Sequence, residues 1–220
     1  MSNIITVGYI TEGSTDKRFL ETIIKKTVEE IAFNCEGQID VYDPVYLNPS
    51  KEDSFISGAI NAARKAFNNG IFILCIHVDS DSSKDINAFE NKINPSIIAI
   101  KEIADKICKV IVPIVPITMS ESWMLADKEL FKNELGTTLS DENLNINRHP
   151  ETIADPKALI ENALRIAQEH LPKRRFKVTI GELYQPIGQK VSIEKLNNLN
   201  SFKKFKTAVE SAFKELNYTH

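Results

Sequence analysis

Ile71-Phe72-Ile73-Leu74-Cys75-Ile76-His77-Val78-Asp79-Ser80-Asp81 is the stretch that decides the fold. Residues 71–78 are apolar on both faces of an extended chain, with no polar alternation. A strand with water on one side alternates, whereas a strand covered on both sides does not. The run therefore reads as a central strand of a parallel sheet, and it stops at two carboxylates. In such a sheet the strand C-terminal ends share one rim, where ligand crevices form.

Working outward, residues 4–10 read as a short buried strand. Ser14 and Thr15 are candidate N-caps for a helix whose apolar stripe is Phe19, Leu20, Ile23, Ile24, Val28 and Ile31. Residues 39–47 form a second strand. Ser50-Lys51-Glu52-Asp53 resembles a capping box ahead of a second amphipathic helix, which Asn68-Asn69-Gly70 stops. After the central strand, residues 79–93 are polar, a loop with a helical turn. Asn94-Pro95 then opens a third helix. Residues 110–117 are the next strand, and Pro113 and Pro116 put it at an edge or a bulge. The β-α-β-α-β-α-β order predicts an α/β fold, a mainly parallel Rossmann-like sheet with helices on both faces. Later residues read differently: helix over 121–131, polar loop over 136–150, then helices over 156–170, 192–199 and 202–216. The expected division is an α/β domain over 1–131 and a mostly helical C-terminal extension over 132–220 packed on it.

The chain has 220 residues, 42% of them hydrophobic, enough for a substantial core. A net charge of −3 argues against a generally basic nucleic-acid coat but leaves room for a local basic groove. Three cysteines without a C-x-x-C pair argue against a disulfide framework or a structural zinc site. Cys75, in the apolar strand, reads as a buried inert thiol. No apolar run approaches the ~20 residues that span a bilayer. With no charged leader at Met1-Ser2-Asn3, a cytoplasmic protein is expected.

Glu12 lies in Thr11-Glu12-Gly13-Ser14-Thr15-Asp16, between the first strand and the first helix. On its own it is a solvated loop residue or a helix-terminus charge. Gly13 beside it permits a turn that brings backbone N–H groups near an anion. Asp79 and Asp81 are turn caps on the bland reading, and two carboxylates around one hard cation on the sharper one. Asp85 reads as a helix cap or surface charge, with accessory ligation as the alternative. His77, inside the strand, reads as a satisfied core histidine, with ligation as the alternative. Glu121 also falls on the rim, and Trp123, the only tryptophan, reads as core. Lys173-Arg174-Arg175-Phe176-Lys177 and Lys203-Lys204-Phe205-Lys206 are basic runs. They are solvated faces or nucleic-acid contacts; Phe176 and Phe205 read as anchors to the core, with stacking on bases as the alternative. No phosphate loop, G-x-G-x-x-G fingerprint, H-E-x-x-H motif or EF-hand spacing is present.

In these residues the chain resembles the TOPRIM (topoisomerase–primase) domain family. It is most similar to compact bacterial TOPRIM-like proteins related to the overcoming-lysogenisation-defect nucleases. The resemblance lies in Glu12-Gly13 after the first strand and Asp79-Ser80-Asp81 after the third. Residues 121–127, His149-Pro150-Glu151, Asp155-Pro156-Lys157, and Phe176-Lys177 with Gly181 resemble further family elements; Pro156 stands where the family carries Ser.

The resemblance implies a divalent-metal site for phosphodiester chemistry. Asp79 and Asp81 would hold Mg²⁺ or Mn²⁺, Glu12 would be a ligand or general acid/base, and Glu121 would complete a second metal position. Lys157 or Lys177 would stabilise developing charge, and Lys173, Arg174, Arg175 and Lys177 would bind nucleic acid. The implied function is hydrolysis of DNA or RNA in phage defence, with a separate ATPase subunit as partner. The alternative is a non-catalytic subunit that binds nucleic acid or nucleotide.

Overall fold

The first predicted strand is built in two pieces, β1 (Asn3–Ile5) and β2 (Val7–Ile10), and so is the second, β3 (Ile39–Val41) and β4 (Val45–Tyr46). Between β3 and β4 lie Asp43 and Pro44, and a proline has no N–H to give to a ladder. The central run is β5 (Ile73–His77) and the last strand is β6 (Val110–Ile114). This computed structural model describes residues 3–13, 15–48, 54–104, 106–169 and 178–218. The Ser50–Asp53 capping box and Ser14 fall outside those residues.

All strand pairs among the described residues are parallel. β1 pairs with β3, and the four-stranded sheet runs β4-β2-β5-β6. β6 is an edge strand, with Pro113 opposite Ile76, so the proline sits where a missing donor is tolerated. Alternate residues of β5 feed two separate cores. Ile73 and Cys75 join Val7, Tyr9, Val112 and Ile114 beneath α1 (Asp16–Phe33) and α10 (Asn200–Glu215). Leu74 and Ile76 join Ala59, Ala62, Ala63 and Ala66 of α2 (Phe55–Asn68) and Ile100 of α4 (Asn94–Glu102). Both faces of the sheet are therefore covered, as the unalternating run over 71–78 requires.

The other elements refine the expectations. α2 is capped by Ser54, which accepts from the Ser57 N–H at 3.1 Å. Residues 79–93 hold one short turn, α3 (Ile86–Ala88), and a π-helical segment, Phe89–Ile93, that runs into α4. The helix expected over 121–131 is split into α5 (Glu121–Met124) and α6 (Lys128–Leu135). Asp127 makes the break by accepting the Leu130 N–H at 3.1 Å, so the chain restarts as a capped helix. α7 (Pro156–Ala167) and α9 (Ile193–Leu196) are shorter than expected.

One element was not expected at all: α8 (Ile180–Lys190), opened by a Thr179/Glu182 capping box. Gly181, Pro186 and Gly188 weigh against a helix by propensity. Packing overrides them, because a Cβ on Gly188 would lie 2.9 Å from the Phe19 carbonyl oxygen on α1. The helices after residue 131 share the core of the α1 face: Ile160, Leu183, Ile187, Phe202, Phe205 and Val209 are all buried in it. Trp123 is wholly buried there, donating its indole N–H to Ser201 Oγ at 2.7 Å and packing on Phe202 and Phe205. The three cysteines are free, and burial pushes the Cys108 thiol up to about 11. Among the described residues no helix is long and apolar enough to cross a membrane.

Candidate metal centre

Strand order reverses between β2 and β5. β4 lies beyond β2, and β6 lies beyond β5. The chain leaves β2 through α1 on one face and reaches β5 from α2 on the other. At such a switch point the loops diverge and leave a crevice at the strand C-terminal ends. The residues after β2 and at the end of β5 meet there.

Thr11 Oγ1 donates to the Gly13 carbonyl at 2.7 Å, closing a tight turn. The turn delivers Asp16 as the first residue of α1, where the helix dipole favours a carboxylate. Asp16 is buried and accepts hydrogen bonds from the Gly13 backbone and the Ser120 side chain. Gly13 has no room for a side chain: a Cβ there would lie 2.5 Å from Asp16 Oδ2. From β5, His77 continues the face of Ile73 and Cys75 toward α1, and Asp79 follows two residues later. One ligand atom from each of Asp16, His77 and Asp79 lies within 4.8 Å of the other two, so the three form a group that can hold a metal ion.

Ser120 organises this group. Its N–H donates to Asp79 Oδ1 at 3.0 Å, and its hydroxyl lies 3.0 Å from His77 Nε2 and 3.5 Å from Asp79 Oδ1. His77 Nε2 is 3.2 Å from the same Asp79 oxygen. The other ring nitrogen, Nδ1, is buried without a hydrogen-bond partner among the described residues. Ser120 is aimed by a strained turn, since Thr118 has φ 64° despite its branched Cβ. That conformation is held by Ser80 Oγ and the Ser82 carbonyl, which accept the Thr118 N–H, and by the Ile153 carbonyl, which accepts from Thr118 Oγ1.

Protonation follows from burial. Desolvation lifts Asp16 above the usual carboxylate range, and the Asp79 charge adds to it, against the pull of His77 and the two hydrogen bonds. For His77, burial disfavours the cation. The Asp79 hydrogen bond and the charges of Asp79, Asp16 and Glu12 outweigh that and raise it above its ordinary value. Glu121 is likewise raised, first by burial and then by Asp16 and Asp79. It is 5% exposed, and Tyr184 of α8 donates a hydrogen bond to its Oε1. Tyr184 is also hydrogen-bonded to Thr15, the neighbour of Asp16.

The residues singled out from sequence are placed as follows. Asp79 stands in the buried group, and Glu121 is close enough to feel its charges. Glu12 is exposed and paired with Lys92 of the π segment at 2.7 Å, although its charge reaches His77. Asp81 is exposed with φ 52°, outside the group. Asp85 is paired with Lys204. Lys157 is exposed in the first turn of α7, with no ion pair to a described residue. Lys173, Arg174, Arg175 and Lys177 lie outside the described residues.

His77 is buried in the strand, as expected, but Nδ1 is left unsatisfied among the described residues and the ring is a member of the group. Asp16, Ser120 and Tyr184 were missed as site residues. Asp16 carried a signal, an acid four residues after Glu12 at a helix start. Tyr184 carried none, because its helix was not legible. Comparison of the chain with protein-family models, with curated proteins and with solved structures finds no match.

Proposed function

We propose that the chain is a divalent-metal-dependent phosphodiesterase of the TOPRIM type, hydrolysing DNA or RNA in phage defence beside a separate ATPase subunit. The observation that carries this reading is the Asp16–His77–Asp79 group at the switch point of a parallel sheet. Two carboxylates and an imidazole are donor types that fit a divalent cation, and a bound ion would displace the protons that Asp16 and His77 otherwise retain. Oxygen donors suit both Mg²⁺ and Mn²⁺; the imidazole tips the set toward Mn²⁺. A bound ion would supply charge stabilisation at a phosphoryl oxygen.

The chain's own residues supply the rest. The Ser120 N–H fixes one Asp79 oxygen, leaving the other carboxylate oxygen for the ion. Tyr184 holds Glu121 beside the group, where it can complete a second position. Glu12 and Asp81 stand outside on the exposed side, where they can orient water or substrate. The Glu12–Lys92 ion pair favours a second reading, a subunit that binds nucleic acid or nucleotide without cutting.

The test is incubation of single- and double-stranded DNA and RNA with the wild type and with Asp79→Asn, in Mg²⁺, Mn²⁺ or EDTA. Cleavage that requires metal and disappears in the variant is expected. Metal-dependent binding without cleavage would select the second reading. Neither cleavage nor metal binding would overturn both.

A further inference from the structure

The basic run 203–206 is divided by the fold. Phe205 is in the core against Trp123, and Lys206 is paired with Glu30 at 2.9 Å. Lys203 and Lys204 turn instead to a groove of about 680 Å³ between α10, the α3 turn and the edge strand β6. Its apolar wall is Ile86, Phe89 and Pro113, and Thr207 joins the two lysines on the other side. Ile86 is 55% exposed, a large apolar side chain with nothing over it. Lys203 has no ion-pair partner among the described residues, and Lys204 spans the groove to Asp85.

The volume lies within the range of ligand sites, about 300–1,000 Å³. An apolar wall facing ammonium groups matches a ligand that is flat and apolar on one part and anionic on another. A nucleotide of an unpaired strand has that form: its base can lie on Ile86 and Phe89 while its phosphates meet Lys203 and Lys204. A duplex does not, because its base faces are stacked on one another. Asp85 on its wall is six residues beyond Asp79, so the two are at most about 20 Å apart along the chain.

We propose that this groove binds single-stranded nucleic acid, with an unstacked base on Ile86 and Phe89 and backbone phosphates on Lys203 and Lys204. Binding displaces Asp85 from Lys204 in favour of phosphate. The proposal extends the nucleic-acid reading above but does not depend on catalysis, so it is tested in EDTA.

The experiment is fluorescence anisotropy with labelled single-stranded DNA and RNA oligonucleotides, a duplex of the same sequence, and an abasic single strand. Ile86→Ala should weaken binding of base-bearing single strands about 5-fold, by loss of apolar contact, and leave the abasic strand unchanged. The double variant Lys203→Ala/Lys204→Ala should weaken both. It should flatten the dependence of log K on log salt by about 0.7 per lost contact. The DNA and RNA arms show which sugar is accepted. Both substituted regions are exposed, so the fold is expected to survive, and circular dichroism verifies this. Unchanged binding by both variants overturns the groove, as does duplex binding equal to single-strand binding, or no binding at all. Metal-dependent cleavage with unchanged groove variants would overturn the groove alone. Groove-dependent binding without metal-dependent cleavage would overturn the nuclease reading alone.

Discussion

The rim of the sheet has an inner half and an outer half, and they treat the same kind of side chain in opposite ways. Inside, Asp16 and Glu121 are 5% exposed, and Asp79 is fixed by Ser120. Outside, Glu12 and Asp81 are exposed, one tied to Lys92 and the other on a left-handed turn. A carboxylate in water is already stabilised and has little to gain from a cation. A carboxylate denied water, with a second one beside it, gains a great deal. The inner half is therefore the place to look for tight metal binding, and the outer half for weaker, substrate-dependent contacts.

The strongest way to break this comparison is to exchange one acid on each side. Asp79→Asn should abolish the thermal stabilisation given by Mn²⁺, which is about 2.7 kcal/mol at a hundredfold excess over Kd. Asp81→Asn should keep most of it. Melting curves in Mn²⁺ and in EDTA give the answer, and equal losses would erase the distinction between inner and outer acids.

Gly13→Ala tests the inner half without removing a charge. A Cβ at 2.5 Å from Asp16 Oδ2 must push that carboxylate aside. Displacements near 1 Å cost on the order of 10²-fold in rate. Single-turnover cleavage should fall by about that factor while the apo melting temperature changes little. An unchanged rate would mean that Asp16 does not act in the site.

Tyr184→Phe is the milder probe. It removes the hydroxyl that holds Glu121 and contacts Thr15. Outer partners of this kind are worth about 10- to 100-fold in metal affinity or activity. Titration calorimetry with Mn²⁺ should show a weaker Kd. An unchanged Kd would confine Tyr184 to packing.

The smallest effect is in the pH dependence of the apo protein. Asp16, Glu121 and His77 are all raised above their ordinary values of 3.8, 4.5 and 6.5. The folded state therefore retains protons that the unfolded chain has already released. Their contribution to stability is complete below the ordinary values and is lost as pH rises through the raised ones. Denaturant melts in EDTA from pH 4 to 8 should show stability falling with pH on their account. Asp16→Asn should flatten the fall, and an unchanged slope would remove Asp16 from it.

The parallel sheet was legible because an eight-residue run without alternation has one comfortable place, between two helical layers. Pro113 and Pro116 narrowed β6 to an edge or a bulge for an equally local reason, and the sheet order places it at the edge. The site was legible only in part. Asp79 follows the central strand directly, so its position on the rim comes from chain order. Glu12 follows a strand in the same way, yet a tight turn at Gly13 sends Asp16 inward in its place. No pattern within the segment 11–16 shows which of the two acids will be desolvated.

By itself, then, the sequence determined the periodicity of strands and helices, the covered faces of the sheet and the rim on which the acidic residues fall. These are near-neighbour properties, set by backbone geometry and apolar spacing. Tertiary structure alone decided that His77 meets Asp16 and Asp79, that Ser120 from beyond β6 bridges them, and that Tyr184, 63 residues after Glu121, locks that carboxylate in place. Such contacts depend on which helix covers which strand end, and on how much water the packing leaves.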